Sequence, residues 1–475
     1  MGDHIYAKRV VLGQGPTLRV VPAIIQIYDG RFQHITELEE PLDTVSPEIQ
    51  DLGERLVAPA FVNAHTHISM SCFRGLISAS DLKQNIVESI YFRLESHLAP
   101  GDVYAFSKMG AYDSLLSGVG VVWDHYYAGE EVAQALIDVG VSGIVAPTLQ
   151  DLSGPGVPTL AEQLAATEAI ATNPHYAKHG IYGAVGPHAT DTVSNNLMLS
   201  CSEMAAALSI PLHLHVAQSI DEVQRIESRS SCSPIAHLDQ LGVLRAKHNT
   251  MLVHALFSSK NDVMRLDAKR HALAYCPWSQ VQFGFPAPQK LWRNQGIPVA
   301  LATDAGPGND TMDVAAELRA LAWSDSFAIP DSVAGKNYQS NPTLENAEAL
   351  WAYRQQVMSS TSQHATPNAT LSAVWSAAGS LHPDAVFGEI TEGAIANLIS
   401  VDLSHPGMWP ATSPLRALVL GDTSSAIDGV MNQGRWIGER GNLKQSILQS
   451  EAYGKDVIEA QSRLERLLSR AGLAR

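Results

Sequence analysis

The sequence predicts an α/β chain built around a (β/α)8 TIM barrel, with a small β-sandwich-like domain assembled from both chain termini. Three observations predict it. Short apolar runs recur eight times, each followed by a segment of helical composition. The runs are continuously hydrophobic rather than alternating, which marks strands buried on both faces, as in parallel sheets. The two ends of the chain carry a different, turn-separated β pattern. Eight strand–helix units in series favour a closed barrel over an open sheet.

The runs are LVAPAFVNAH from Leu56, GVGVVWDH from Gly118, VSGIVAPT from Val141 and GIYGAVGPH from Gly180, then IPLHLHVA from Ile210, NTMLVHAL from Asn249, HALAYCP from His271 and IPVALATD from Ile297. Stretches between them, such as LAEQLAATEAIATN and SCSEMAAALS, are rich in good helix formers. The barrel is expected over residues 59–384. Residues 1–58 carry β runs around an Asp29-Gly30 turn, and residues 385–441 carry a matching set, NLISVDLSHP and AIDGVMNQGRWIGERG. Together these flanks are expected to form the small domain. Residues 442–475 read as a charged docking helix, and Ala328 to Thr366, mixing Ser, Asn, Gln and Pro, as an elaborated loop.

The bulk numbers narrow the class. At 475 residues the chain exceeds a bare barrel of about 250. A net charge of −16 repels phosphate backbones and anionic lipid, so nucleic acid and membrane are excluded as partners. No run of about 18 apolar residues is free of charge, and the N-terminus lacks a secretory h-region. Cys72, Cys201, Cys232 and Cys276 are scattered, which fits a reducing cytoplasm rather than a disulfide framework.

Chemistry is concentrated where the runs end. His65 and His67 close the first run; two apart on a strand, they point to the same face. His215 ends the fifth run, His254 the sixth and Asp304 the eighth. A barrel gathers its strand C-termini around one rim, where catalytic groups converge. Imidazoles with a carboxylate make a nitrogen–oxygen site suited to Zn²⁺ or Fe²⁺, with a position left for water.

The ordered motifs PAFVNAHTH, CFRG, PHA, HLHVA, HALF, CPWS, LATDAGPGND and GEITEGAIANLISVDL resemble those of the amidohydrolase superfamily. The branch they are similar to contains triazine hydrolases, guanine deaminase and thioadenosine deaminases, and the resemblance runs over nearly the whole chain. It implies one divalent metal per chain, zinc before iron, held by His65, His67, His215 and Asp304. The fourth run holds no Lys to bridge a second metal. It further implies that His254 hydrogen-bonds water or substrate, that Asp304 accepts the proton of a metal-activated water, and that the chain works as a homodimer on a small heterocyclic substrate.

Three positions depart from the family pattern. Deaminases of this branch carry HxxE after the fifth strand, the Glu shuttling protons to ring and leaving amine; here His215 is followed by Gln218. A glutamine amide forms hydrogen bonds but transfers no proton near neutrality. CPWSQ ends in Gln280 where Asn is usual, and Ala60 replaces a glycine. Gln218 leaves three readings open. Another acid, Asp124, Asp221 or Glu222, supplies the proton; or the leaving group, such as halide, needs none; or the protein binds its ligand and barely turns it over. Position along the chain places Phe73, Arg74, Asp124, His125, Tyr126 and Tyr127 near the mouth, followed by His188, Trp278, Gln280 and Phe283. Of these, Arg74, Asp124, His188, Trp278 and Gln280 are expected to bind substrate, with Gln218 beside His254 and Asp304 in the catalytic group. Cys72 and Cys276 lie nearby without an assigned base, so no cysteine nucleophile is read.

Overall fold

A computed structural model of the chain describes residues 3–76, 85–283, 287–327, 332–361 and 366–473. The eight runs become parallel strands closing a ring. The first, Phe61–His67, pairs with the second, Val119–Tyr126, which pairs with the third, Ser142–Leu149. The fourth is short, Ile181–Gly183 followed by Gly186–Pro187, and single bridges carry it to the fifth, Leu212–Val216. Thr250–His254, His271–Tyr275 and Val299–Leu301 continue the ring. Asp304–Ala305, extending the eighth strand, pairs with Thr66 and His67 and closes it. A reciprocal pair, Asn63 Nδ2 to Thr303 Oγ1 at 2.8 Å and Thr303 N–H to Asn63 Oδ1 at 3.1 Å, locks this seam.

Period-two alternation sorts each strand. Val62, Ala64, Val121, Trp123, Ala272 and Ala274 belong to one buried cluster drawn from strands around the ring, the barrel interior. Phe61, Val122, Leu214, Leu252 and Leu273 join the outer cluster, shared with the surrounding helices. The expected helices form at Leu160–Thr172 and Asn195–Leu208, the second capped by Ser194 Oγ accepting from Leu197 N–H.

The chain ends meet in one eight-stranded sheet. Leu56–Pro59 is its seam, parallel to Asp3–Leu12 and antiparallel to Leu398–Val401. The run LVAPAFVNAH is therefore two strands, one in each sheet. Asp29 and Gly30, both with positive φ, make the tight turn between Arg19–Tyr28 and Arg31–Glu37. The C-terminal helix Glu451–Arg470 docks on Asp102–Leu116 through Arg463 and Arg470 to Asp102 and Lys108 to Asp456.

One expectation fails. The segment read as a loop from Ala328 holds two helices, Val333–Ser340 and Leu344–Thr361, although residues 328–331 and 362–365 lie outside the described ones. Ser332 caps the first, and LENAEALWAYRQQ is a run of helix formers whose exposed face tolerates the polar composition.

Candidate metal centre

Three imidazoles meet at the C-terminal mouth of the barrel. Each is aimed by a hydrogen bond at its Nδ1: His67 donates to the His125 carbonyl at 2.5 Å and His215 to the His188 carbonyl at 2.8 Å. His65 Nδ1 lies 2.9 Å from His213 Nε2. The three Nε2 lone pairs are thereby turned inward. His215 Nε2 lies 3.2 Å from His65 Nε2 and 3.3 Å from His67 Nε2. Asp304 Oδ1 stands 3.5 and 3.6 Å from His65 and His67 Nε2.

These spacings test the donor set. Ligands about 2.1 Å from a tetrahedral zinc lie about 3.4 Å from one another. Burial pushes His65, His67 and His215 below the ordinary imidazole range, so all three stand neutral. Lone pairs facing one another at this distance need a cation between them. The residues present fit a single divalent ion.

Asp304 divides its carboxylate. Oδ1 faces the imidazoles, while Oδ2 accepts from the Ser279 hydroxyl at 2.9 Å and lies 3.9 Å from His254 Nε2. His254 follows Val253, an interior residue, so strict alternation would turn it outward. Its φ of 73° breaks the alternation and brings it to the cavity; Asp304, at 61°, is also left-handed. Backbone in this region is costly for non-glycine residues and collects at functional sites.

Above the floor lies a cavity of about 490 Å³. Gln218, His188, Gln280, His125, Tyr126 and Tyr127 line it. Other expected wall residues are elsewhere. Asp124 alternates outward between Trp123 and His125; its Oδ2 accepts the Ile68 N–H at 2.7 Å, and burial raises its carboxyl to about 7. Arg74 pairs with Asp113. Trp278 is 41% exposed, its indole N–H bonded to the Ala316 carbonyl. Phe73 is packed in the core, and the Phe283 side chain lies outside the described residues. Glu222, buried, is spent on Thr190 Oγ1 and the Gln218 N–H. Burial raises the Cys72 and Cys276 thiols, which leaves both protonated and unreactive.

Sequence reasoning missed part of the wall. Asn85, Glu88, Tyr91 and Glu95 reach the cavity from the segment before Asp102–Leu116, and Asp191 from the loop after the fourth strand. Burial raises Glu95 to about 8, so it stands protonated beside Tyr126 at neutral pH. No motif marks these residues. The available signal was the length of chain between the first strand and its helix, since long loops on this face of a barrel carry function.

Known proteins agree with this architecture. A 5-methylthioadenosine/S-adenosylhomocysteine deaminase of Moorella thermoacetica is 27% identical over 424 residues, 89% of this chain and 91% of the relative. A zinc-bound adenosine deaminase structure from Xanthomonas campestris superposes with a TM-score of 0.76 at 20% identity, covering 98% of each chain. A zinc complex of atrazine chlorohydrolase from Arthrobacter aurescens gives 0.76 at 15% identity, covering 97% of this chain and 99% of that one. The amidohydrolase family model matches residues 56–336, more than half of the sequence. The chain belongs to the amidohydrolase family.

Proposed function

We propose that this chain is a zinc-dependent aminohydrolase that removes an exocyclic amine from a nitrogen heterocycle of the purine nucleoside class. The observation that carries the reading is the floor itself: three neutral imidazoles and one carboxylate, spaced for a single divalent ion, beneath a cavity of nucleoside size. His65, His67, His215 and Asp304 would hold the metal. An ion there supplies Lewis acidity and makes water nucleophilic at neutral pH. Asp304 Oδ2, kept basic-side-out by Ser279, accepts the proton of the attacking water. His254, whose Nε2 lies 3.9 Å from Oδ2, hydrogen-bonds the attacking water or the substrate. Gln218 and Gln280 present amides that read the ring edge, and His188 adds a third polar contact. The leaving amine takes its proton from Asp304, because Gln218 has none to give. The methylthioadenosine and S-adenosylhomocysteine deaminase named among the relatives supports the substrate class.

Gln218 also favours a second reading, displacement of a group such as halide that leaves without protonation. The two separate in one assay. The metal-loaded enzyme releases ammonia from adenosine-like substrates and stops with chelator; halide release without ammonia would establish the second reading. Elemental analysis should find about one zinc or iron per chain, lost in His215→Ala. No metal even after reconstitution would reduce the chain to a ligand-binding protein. Gln218→Glu restores a shuttle and should raise deamination by about tenfold or more; no gain would make Gln218 a specificity element. Homodimerisation and a cytoplasmic location complete the reading. The cysteines, all free, support the latter, and light scattering and cell fractionation test the two. No helix among the described residues is long and apolar enough to cross a membrane.

A further inference from the structure

Glu317, on the helix Val314–Phe327, is fully buried, and among the described residues no Lys or Arg pairs with it. Burying a carboxyl costs free energy unless hydrogen bonds offset it. Here both oxygens are used: Oε2 accepts the Trp278 N–H at 3.0 Å, and Oε1 accepts from the Asn309 side-chain amide. The two donors belong to different loops. Trp278 lies just after the seventh strand, one residue before Ser279. Asn309 ends the short helix Gly306–Asn309, which directly follows Asp304–Ala305. The loops meet between these tethers, where a Cβ added at Gly308 would stand 3.4 Å from Ser279 Oγ. Ser279, itself fully buried, donates to Asp304 Oδ2 at 2.9 Å. Glu317 thus grips both of the loops that this hydrogen bond joins.

We propose that Glu317 is a positioning residue: by clasping the loops after the seventh and eighth strands it holds Ser279 against Asp304 and so fixes the carboxylate of the metal floor. The inference rests on the reading of Asp304 as metal ligand and base. Glu317 is not among the residues that line the cavity, so it acts only through its neighbours. A carboxylate whose outer oxygen loses its hydrogen bond is free to turn, and its ligating oxygen then wanders. Partners of this kind are worth about 10- to 100-fold in metal affinity or activity. The clasp also has a specific chemistry. A carboxylate accepts on both oxygens, whereas an amide in its place accepts on one side and donates on the other. Glu317→Gln therefore keeps the Trp278 bond only by setting a donor against the Asn309 amide. Asn309 cannot simply turn over, because its Oδ1 accepts the Thr311 N–H at 3.0 Å.

Zinc affinity of the folded full-length protein, read by chelator competition, tests the clasp without relying on turnover. Ser279→Ala should weaken zinc binding about tenfold, and Glu317→Gln about threefold or more. The double variant should lose no more than Ser279→Ala alone, because both act on one contact. Adding Asn309→Asp to Glu317→Gln exchanges donor and acceptor and should recover most of the loss. In ammonia release, kcat should fall in step with zinc affinity while KM changes little. A merely structural Glu317 would instead lower the melting temperature, leave zinc affinity unchanged and add its effect to that of Ser279→Ala. Asn309→Ala, which removes one tether, provides the readout if Glu317→Gln does not fold. Unchanged zinc affinity in either folded variant, losses that multiply in the double variant, or no recovery in the exchanged pair would overturn the clasp and leave the metal reading standing. If zinc binds but no ammonia is released, the deaminase reading falls and zinc affinity alone decides the clasp. A wild type that binds no zinc would overturn the metal reading and the clasp with it.

Discussion

The floor and the wall of the site are built on different principles. On the floor, the four groups that would ligate the metal are held from behind, His67 and His215 by backbone carbonyls, His65 by His213 and Asp304 by Ser279, while His254 Nδ1 has no partner among the described residues. The wall holds groups left unsatisfied, among them Tyr91 Oη, Asp191 Oδ1 and Gln280 Oε1. The floor stands on strand ends packed in the barrel; the wall comes from loops and short helices. The difference teaches that the metal position is specified by ligands held from behind on strand ends, while the cavity above it is shaped by loops and short helices.

The comparison can be broken from the floor upward. Asp304→Asn should have the largest effect, a loss of about 10³-fold or more in kcat/KM together with loss of the metal, since one residue serves as both ligand and base. Retained metal and activity would show that the floor is not the catalytic centre. His213→Phe keeps a ring behind His65 but removes the acceptor for its Nδ1–H. Metal affinity, measured by chelator competition, should fall about 10- to 100-fold, with partial recovery in His213→Gln. An unchanged affinity would mean that packing alone aims His65.

The wall gives the smaller effects. Burial raises Glu95 from 4.5 to about 8. The folded chain therefore binds this proton more tightly than the unfolded one, and the stability it contributes is present below about pH 4.5 and lost as pH rises through about 8. Glu95→Gln should flatten that part of the stability–pH profile; an unaltered slope would remove Glu95 from the buried wall. Asp124→Asn should be the mildest change, costing about 1 kcal/mol by weakening the Ile68 contact and leaving kcat/KM unchanged. A large loss of activity would return Asp124 to the site from which its outward orientation removes it.

Asp124 and His125 show how far the sequence could be read. Both end the second strand, and chain position alone could not separate them. Alternation in the folded strand sends His125 to the cavity and Asp124 to a backbone amide. His254 shows the converse, a residue that alternation would misplace and a left-handed φ redirects. The Asp29-Gly30 turn was legible because two consecutive positive φ values favour those residue types. The helices at Val333–Ser340 and Leu344–Thr361 were not, because polar composition describes exposure as readily as irregularity.

By itself the sequence determined the barrel, the two-ended sheet and the family, because buried parallel strands write continuous apolar runs and strand ends carry the ligand types. It also named the five polar residues of the floor as candidates, at the ends of four of its apolar runs. Tertiary structure alone decided the rest of the wall. Glu88, Glu95 and Asp191 come from two separated segments with no common period or spacing. Only closure of the ring brings those segments over one cavity, and only burial there raises the Glu95 and Asp191 carboxyls.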